Sequence, residues 1–413
     1  MADWLVEPRT YTGFRTEDPI ALWSALTVVE RLNRPGPWSL AGPATQLAPL
    51  MTPGMGVVLS RSGLPIMSGQ VTSFNYTGDG NAQVSGWDDK MWLGGAPADD
   101  KGRIITPDPT KDITAQVTDT TPTYTSARED LIVALVAYHA GPLALPARRV
   151  PRLRTPGYLG RGGTVVRTIK MELLHTVVQE LAEAGQLIVN VVHTEDGSNR
   201  WLDLTITPQV DVSSTVRFGP ASQGGAGVLG DDWSYTVSGP SMTAAIVGGT
   251  SPPPQVFGDG DSQADDPGQD LRQYRQVTNG LDAWGVRQEG FVDASSTNTA
   301  AELDQAGTDA LADAAAKREV SASIVDTPDV GYGVDWRVGY RVGVTVAGQE
   351  GSDVVREVST TVQSQQGQQT EQISAAIGWS QATTITGPAA VTTRLTLLGL
   401  LGQRRAYKSA VWR

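Results

Sequence analysis

An acidic loop contains the residues best suited by type and spacing to bind a metal ion. Asp259, Asp261 and Asp265 lie close together in the sequence, next to Asp266, and carboxylates at this density can hold Ca²⁺. Their spacing departs from the EF-hand pattern, which needs acids at positions 1, 3 and 5 and a Glu at position 12. A solvated acidic loop is the interpretation that the spacing favours, so the three aspartates are weak candidate metal ligands.

A glycine motif of the dinucleotide-binding type occurs at Gly225–Gly230. Such a site needs a strand before the motif, a helix after it and an acidic residue about 20 positions further on. Here a segment rich in Gly, Pro and Ser precedes the motif, and residues 231–237 have the pattern of a strand. The sequence therefore favours a flexible loop, and we expect no cofactor.

Acid–base catalysis has few candidate residues. His139 ends a predicted helix, where a cation interacts favourably with the helix dipole, while His175 lies beside an apolar stripe and His193 closes a strand. None of them belongs to a nucleophile motif. Glu180 and Glu183 are one helical turn apart, which is common on solvent-exposed helix faces. We therefore predict no catalytic residue and no enzymatic activity.

Composition limits the function classes further. The chain has 413 residues, no cysteine and a formal net charge of −12. The negative charge argues against non-specific nucleic-acid binding, and the lack of cysteine excludes disulfides and Cys-ligated metals. The first residues lack the pattern of a signal peptide, and the apolar run 395–401 is far shorter than the roughly 20 residues of a membrane span. We expect synthesis in a cytoplasm and no membrane span.

The elements that would position these residues begin with strands. Strands are predicted at 22–32 and 82–87, and a hairpin is predicted at 56–76 with its turn at Ser62-Gly63. Antiparallel strands at this spacing are typical of a barrel or a sandwich. We assign residues 1–110 to a first β domain.

Helices dominate the next segment, which we assign to an α+β domain at residues 111–210. In the first helix Ser126 is the predicted N-cap, with Glu129 at the capping-box position, and Gly185 ends the second helix. The predicted elements are two helices and a hairpin, at 126–140, 168–184 and 187–206.

A second β domain is predicted at residues 211–385, with the acidic loop 251–270 and a helix near 300–317. Its segment 343–362 repeats the pattern of 56–74: a short strand, a Gly turn and a longer strand with alternating apolar positions. A duplicated domain and two unrelated hairpins are both compatible with this likeness.

The remaining residues, 386–413, form a C-terminal tail that is apolar first and then basic. This composition suits docking of residues 395–413 on an acidic neighbour, and a frayed terminus is the alternative.

A series of short motifs, taken in order, resembles the tail-hub proteins of long-tailed phages of actinobacteria, which are minor tail or tail-tip proteins. The series is also similar in plan to the baseplate hubs of contractile phages. The motifs are Arg31-Leu-Asn33, Gly36-x-Trp38-x-Leu40, Gly54-x-Gly56-Val-Val58, Ser68-Gly69-x-Val71, Val84-x-Gly86-x-Asp88-Asp89, Trp92-Leu93, Tyr332-Gly-Val-Asp-Trp-Arg-Val-Gly339 and Ile377-Gly378.

The resemblance implies a mainly β fold with α+β insertions, built from two tail-tube-like β-barrel domains and a smaller α/β domain. It also implies a structural hub at the virion tail tip, assembled in the host bacterial cytoplasm. Three chains with two similar domains each would form a pseudo-hexameric ring, which joins a sixfold tail tube to a threefold tip.

The implied partners are two further copies in a homotrimer, the distal tail protein ring, the tape-measure protein and tip or fibre proteins. DNA and the tape-measure protein would pass through the ring lumen. Because the chain is acidic, we expect its wall to repel DNA phosphates instead of binding them.

Two other functions remain as alternatives. The first is a tail-associated cell-wall hydrolase, which a zymogram on peptidoglycan would reveal. The second is a tail protein that binds host-wall carbohydrate through exposed aromatic side chains. The candidate platforms for sugar binding are Trp4, Trp87, Trp92 and Trp284.

Overall fold

The fold is mainly β, as predicted: 50% of the described residues lie in strands and 18% in helices. The computed structural model describes residues 3–13, 15, 18–94, 101–116, 122–169, 171–220, 227–249, 274–278, 285, 287–294, 300–325, 330–346, 348–365 and 368–378. Among these residues, no helix has the length and apolar content to cross a membrane.

The N-terminal residues form an antiparallel sheet with the strand order β1-β4-β5-β6-β3-β2. The predicted hairpin is confirmed, because Ser62 and Gly63 both have positive φ angles, of 50° and 80°, as a type I′ turn requires. The elements are β1 (Trp4–Thr10), β2 (Ala25–Arg31), β3 (Pro37–Pro43), α1 (Ala44–Leu47), β4 (Met55–Arg61), β5 (Leu64–Tyr76) and β6 (Asn81–Asp88).

Two helices pack against a three-stranded sheet in the middle segment, where they share one apolar core. The predicted hairpin is confirmed as two ten-residue antiparallel strands. The elements are β7 (Thr123–Ala127), α2 (Arg128–His139), β8 (Leu153–Arg154), β9 (Thr164–Thr168), α3 (Leu174–Ala184), β10 (Leu187–Asp196) and β11 (Asn199–Pro208).

Among its described residues, the C-terminal part adds ten strands and a helix. The elements are β12 (Arg217–Pro220), β13 (Gly227–Leu229), β14 (Ser234–Ser238), β15 (Ala244–Gly248), β16 (Tyr274–Thr278), β17 (Glu289–Asp293), α4 (Ala300–Asp313), β18 (Lys317–Val325), β19 (Arg341–Val346), β20 (Gln349–Gln365) and β21 (Gln368–Gly378).

Six of these strands close on themselves. Strand β19 pairs with β20, β20 with β21, and β21 with β18, all antiparallel. Strand β18 pairs with β13, β13 pairs with β12, and β12 returns to β19. Such a closed circuit has no free edge within it, and its interior holds the buried rings of Phe218 and Trp336, which meet edge to face with centroids 5.1 Å apart.

The 17-residue strand β20 also joins this circuit to the N-terminal sheet. Its C-terminal half pairs with β2, from Glu357 opposite Arg31 to Gln363 opposite Ala25. Val355 packs in the C-terminal core and Val362 packs in the N-terminal core. One strand therefore belongs to two cores, and the N-terminal sheet is extended by residues from the far end of the chain.

Three helix predictions need correction at their N- or C-terminal ends. Ser126 does not cap α2, because it pairs with Val165 in the β7–β9 ladder and the N-cap is Ala127, without a side-chain hydrogen bond. The helix predicted at 168–184 begins at Leu174, after strand β9. The helix predicted at 300–317 ends at Asp313, because β18 needs the residues from Lys317 onward for sheet pairing. The prediction that Gly185 ends α3 is confirmed.

Two glycines of the sequence motifs make room for one tryptophan. Trp38 is fully buried in the N-terminal core. A Cβ atom at Gly86 would lie 2.8 Å from Trp38 Cζ2 and 1.9 Å from the carbonyl oxygen of Gln70, and one at Gly69 would lie 2.8 Å from Trp38 Nε1. Closely packed interiors do not accommodate such overlaps without rearrangement. Glycine at positions 69 and 86 is therefore a packing requirement.

We predict that Gly86→Ala lowers the free energy of unfolding by about 1–3 kcal/mol, the usual cost of overpacking a core. The matched control is Gly78→Ala, since a Cβ there meets no atom within 4 Å, and we expect that variant to change stability by under about 0.5 kcal/mol. Urea denaturation of the three proteins measures both values. Equal stability of the two variants would show that Trp38 does not need the space.

Candidate functional site

A cavity of about 260 Å³, lined by both charged and apolar side chains, lies where three parts of the described chain meet: the N-terminal sheet, strand β10 and the segment 330–338. The end of β2 supplies Glu30, and strand β10 supplies Asn190 and His193. Charged and polar side chains are rare inside proteins unless they have partners. The contacts of these groups therefore show what the site can do.

Glu30 contacts a residue that is 302 positions away in the sequence. The hydroxyl of Tyr332 donates a short hydrogen bond to Glu30 Oε1. Tyr332 is 2% exposed, and its ring lies 4.8 Å from the ring of Trp336, measured between centroids. A tyrosine whose ring is fixed in the C-terminal core thus binds a carboxyl group at the edge of the N-terminal sheet.

Burial raises the pKa of Glu30 to about 7, because the charged carboxylate loses hydration. The hydrogen bond from Tyr332 and the charges of Lys90 and Arg337 oppose this rise, while the charge of Asp88 adds to it. The pKa of the Tyr332 hydroxyl is raised well above its usual value, by burial first and by Glu30 second. The pair is therefore sensitive to pH near neutrality through its carboxyl group.

Arg61 forms a second link between the two cores. At the end of β4, its Nη1 donates to the carbonyl oxygen of Tyr332 at 2.7 Å, and its Nε and Nη2 bind the two carboxylate oxygens of Glu371 at 2.9 and 2.8 Å. Trp4 Nε1 donates to the same carboxylate at 2.7 Å. Bidentate Arg–carboxylate pairs have a fixed geometry, so this pair positions β1 and β4 against β21.

Lys90 lies in the wall of the cavity, and Asp89 lies behind that wall. Lys90 Nζ lies 3.2 Å from Asp88 Oδ2 and donates to the carbonyl oxygen of Arg31 at 2.7 Å. Asp89 is fully buried and pairs with the equally buried Arg9. Buried charges without partners would cost several kcal/mol, so these neighbouring acids are each neutralised within the site.

Strand β10 is attached to the same region by an asparagine in the turn after β2. Asn33 Nδ2 donates to the carbonyl oxygen of Leu187 at 3.0 Å, and the amide of Val189 donates to Asn33 Oδ1 at 2.8 Å. Asn33 has a φ of 55°, which Asn tolerates better than most residues. Its side chain thereby acts as an extra strand partner for β10.

The described groups around the cavity bind one another. His193 Nε2 lies 2.9 Å from the carbonyl oxygen of Gly13, and burial lowers the pKa of this imidazole. Ser68 donates its hydroxyl hydrogen to Asp89. Among the residues that line the cavity, we find a Ser hydroxyl and an imidazole but no bond between them, which a Ser–His nucleophile would need. The arrangement is suited to holding three segments in register.

The candidate metal ligands Asp259, Asp261 and Asp265 lie outside the described residues. Within the described residues, no group of three or more His, Cys, Asp or Glu side chains is placed to bind a metal ion. In the glycine motif, Gly227–Leu229 forms the short strand β13 between β12 and β18, which differs from the loop that the sequence favours.

The other candidates take part in packing or ion pairs. His139 lies at the end of α2, as predicted, and is buried there. Burial and the charge of Arg148 lower its pKa to about 4, which disfavours the imidazolium cation at this helix end. His175 is half-buried in α3. Glu180 binds Arg167 at 2.7 Å, and Glu183 lies 3.6 Å from Arg356.

The tryptophans proposed as sugar platforms are mostly covered. Trp4 is 2% exposed, and Trp87 and Trp92 are half-buried. Trp92 donates from Nε1 to Asp89 at 3.2 Å. Trp284 lies outside the described residues. The described members of this set therefore do not form an open aromatic surface.

Glu30, Arg61 and Glu371 were not predicted as site residues, whereas Tyr332 belongs to one of the sequence motifs. No local pattern marks them, because each partner lies hundreds of positions away. The sequence offers one signal for such residues, a charged residue at the end of an apolar strand. Surface strands show the same pattern, so the signal does not identify a site.

We predict that Glu30→Gln removes a pH dependence of stability. A folded pKa near 7 lies above the unfolded value near 4.5, so the folded state binds the proton more tightly. The contribution of Glu30 is fully present below pH 4.5 and is lost as pH rises through 7. The unfolding free energy of the wild type, minus that of the variant, should fall by up to about 3 kcal/mol over this range.

Chemical denaturation at several pH values measures this difference. Glu350→Gln is the matched control, because the Glu350 side chain is 74% exposed, and its difference from the wild type should not follow pH in this window. A flat difference for Glu30→Gln, or one that rises with pH, would contradict the environment assigned to Glu30.

Three comparisons place this geometry among known proteins. The family model described as Siphovirus ReqiPepy6 Gp37-like protein matches residues 13–378. The 43 kDa tail protein of prophage MuSo2 from Shewanella oneidensis aligns with a TM-score of 0.52 at 12% identity, over 90% of this chain and 98% of that chain. The tail protein from Neisseria meningitidis MC58 aligns with a TM-score of 0.53 at 13% identity, over 91% and 97%. No curated protein sequence matches this chain.

The two structural likenesses show a shared fold, since both identities are low. The family match covers most of the chain, and the phage-tail family expected from the sequence motifs is confirmed. The actinobacterial host stays a prediction. The chain belongs to the Siphovirus ReqiPepy6 Gp37-like family, and the two tail proteins named above share its fold.

Proposed function

We propose that this protein is the structural hub of a phage tail tip. Three copies form a pseudo-hexameric ring that joins the hexameric tail tube, through the distal tail protein ring, to a trimeric tip with its fibre proteins. The tape-measure protein and the DNA pass through the lumen. The proposal assigns no catalytic activity to the chain, so a zymogram on peptidoglycan should stay blank.

The observation that carries the proposal is the shared strand β20. It contributes to two cores and pairs with both the N-terminal sheet and the closed C-terminal circuit. Each chain therefore presents two strand systems in a fixed relation, and each system contains a hairpin of the same pattern, β4–β5 and β19–β20. Three such chains supply six strand systems, as a ring between sixfold and threefold parts needs.

An exposed aromatic pair on strand β5 supplies a contact surface for this assembly. Phe74 and Tyr76 are 42% and 61% exposed and meet edge to face with centroids 6.4 Å apart. They lie opposite Val84 and Ala82 in the β5–β6 ladder, and both of those residues are buried. The core-facing side of the hairpin thus continues beyond the core as an apolar surface, which we assign to contact with a second copy.

We predict that the double variant Phe74→Ser, Tyr76→Ser assembles less than the wild type while its thermal unfolding stays close to that of the wild-type monomer. Mass photometry measures the assembled fraction, and negative-stain electron microscopy should show an annulus with six lobes. The wild-type assembly should have about three times the chain mass of 43.7 kDa. Purified protein and protein co-expressed with the neighbouring tail proteins of its phage are compared.

The matched control is Leu64→Ser, at the other end of the same strand, where the side chain is 49% exposed. This variant should assemble as the wild type does. A twofold or sixfold assembly in both preparations would contradict the trimeric ring. Normal trimers of the double variant would leave the ring in place and contradict the contact assigned to β5. In an assembled ring, a lumen wall with net positive charge would contradict the passage of DNA by repulsion.

A further inference from the structure

The charge of this chain is unevenly distributed along its sequence. Residues 131–171 contain six Arg, one Lys and no Asp or Glu, although the whole chain has a net charge of −12. The acidic residues that neutralise this segment must therefore come from elsewhere in the fold. An arginine without such an acidic partner keeps a positive charge that can bind an anion from another molecule.

Three of the six arginines have carboxylate partners from outside the segment. Arg154 binds Asp203, Arg161 binds Glu129, and Arg167 binds two glutamates of the α3 region. These pairs follow the usual rule for partly buried charges, which are stabilised by an opposite charge within hydrogen-bond distance. Of the other three, Arg149 is exposed and Arg152 donates to the carbonyl oxygen of Arg200 at 3.1 Å. The third is Arg148, which we consider together with Arg103 from the preceding segment.

Arg103 and Arg148 bind carbonyl and hydroxyl oxygens. Arg103 Nε donates to the carbonyl oxygen of Trp92 at 2.8 Å, and Nη1 donates to the carbonyl oxygens of His139, at 3.4 Å, and of Arg148. Arg148 donates in return to the carbonyl oxygen of Ile104, and its Nη1 lies 3.3 Å from Thr106 Oγ1. Each arginine thereby binds the backbone at or next to the other, and the charge of Arg148 acts on Arg103.

No carboxylate among the described residues forms an ion pair with either group. Burial lowers the pKa of the Arg103 guanidinium, and the positive charge of Arg148 lowers it further; burial also lowers the pKa of Arg148. Two like charges at close range in a partly desolvated place repel each other. An anion between them would relieve this repulsion.

Donors remain for such an anion. Arg103 Nη2 and Arg148 Nε have no acceptor within the described protein, and both residues are half-buried. Neither atom is among the buried polar atoms that lack a partner, so both are open to solvent. The His139 imidazole next to them is 1% exposed and its Nδ1 has no partner in the described structure.

We propose that Arg103 and Arg148 form an oxyanion site that binds a phosphate group. Guanidinium forks match the oxygens of phosphate in geometry and charge. The competing explanation is that the two arginines only fasten Trp92 and residues 103–106 to the end of α2. This explanation accounts for the hydrogen bonds to carbonyl oxygens. It gives no reason for two neighbouring positive charges without a carboxylate partner. The phosphate can come from the free ion or from the backbone of a phosphodiester polymer.

Isothermal titration calorimetry of the full chain with inorganic phosphate tests the site, at a constant ionic strength set with chloride. We expect saturable binding by the wild type and at least about tenfold weaker binding by Arg148→Gln, since a hydrogen-bonded charge is removed. Arg148→Lys keeps the charge, loses the fork and should also bind more weakly. Circular dichroism verifies that each variant is folded, and Arg148→Lys serves as the test if Arg148→Gln does not fold.

Arg149→Gln is the matched control. Arg149 is exposed, donates to the carbonyl oxygen of Ala144 at 3.0 Å, and its removal changes the net charge by the same amount. Phosphate binding by this variant should equal that of the wild type. Absence of saturable binding to the wild type would overturn the proposal, and so would equal losses in the Arg148 and Arg149 variants or binding to Arg148→Gln as tight as to the wild type.

A second titration identifies the source of the phosphate. In this titration a short oligothymidylate is added to the Arg149→Gln and Arg148→Gln variants. A phosphodiester polymer is indicated if Arg149→Gln binds the oligothymidylate more tightly than it binds inorganic phosphate, and if Arg148→Gln loses this binding. Binding of inorganic phosphate alone points to the free ion. Both results support the site, and the ring assembly proposed above does not enter either measurement.

Discussion

The structure depends on one strand that has different neighbours along one edge. In β20 the residues from Glu357 onward pair with β2 and the earlier residues pair with β19, while β21 follows the other edge. A shift of one residue would move the buried side chains of a strand to its other face. Because β20 is one continuous strand, the register that it takes in one core also sets its register in the other. Val355 and Val362 then point into separate cores. The relation between the two strand systems is therefore set by backbone hydrogen bonds, which makes this chain suited to being a rigid part of a larger assembly.

The polar groups at the junction add specificity to this backbone connection. Glu30, Arg61 and Glu371 have their partners only when the N-terminal sheet and the C-terminal core take the observed positions. In any other arrangement a buried charge would be unpaired, at a cost of several kcal/mol. Such networks select one arrangement more than they add net stability. The neutral form of Glu30 is favoured below pH 7, so this selection depends on pH, whereas the bidentate pair of Arg61 and Glu371 provides a link of fixed charge.

Local chemistry explains which features could be predicted from the sequence. The turn at Ser62-Gly63 and the end of α3 at Gly185 follow from residue preferences within a few positions, and both are confirmed. The capping prediction for Ser126 failed because a strand ladder competed for the same residue, which local rules do not see. The contact of Glu30 with Tyr332 could not be predicted, because 302 residues separate the two positions. The phage-tail family was recognised from short motifs, while the junction cavity was found only from the structure.

Several glycines in the motifs that led to this recognition meet packing requirements, so no single motif is specific to the family. Gly69 and Gly86 leave space for Trp38, and Gly339 approaches Ile188 so closely that a Cβ would lie 2.5 Å from its Cδ1. Gly339 also has a φ of 90°, a conformation that residues with a side chain rarely adopt. A packing requirement of this kind fixes the residue type at one position and allows the neighbouring positions to vary. A fold that depends on such positions and on apolar alternation can be shared at 12% or 13% identity, because few side chains are individually indispensable to it.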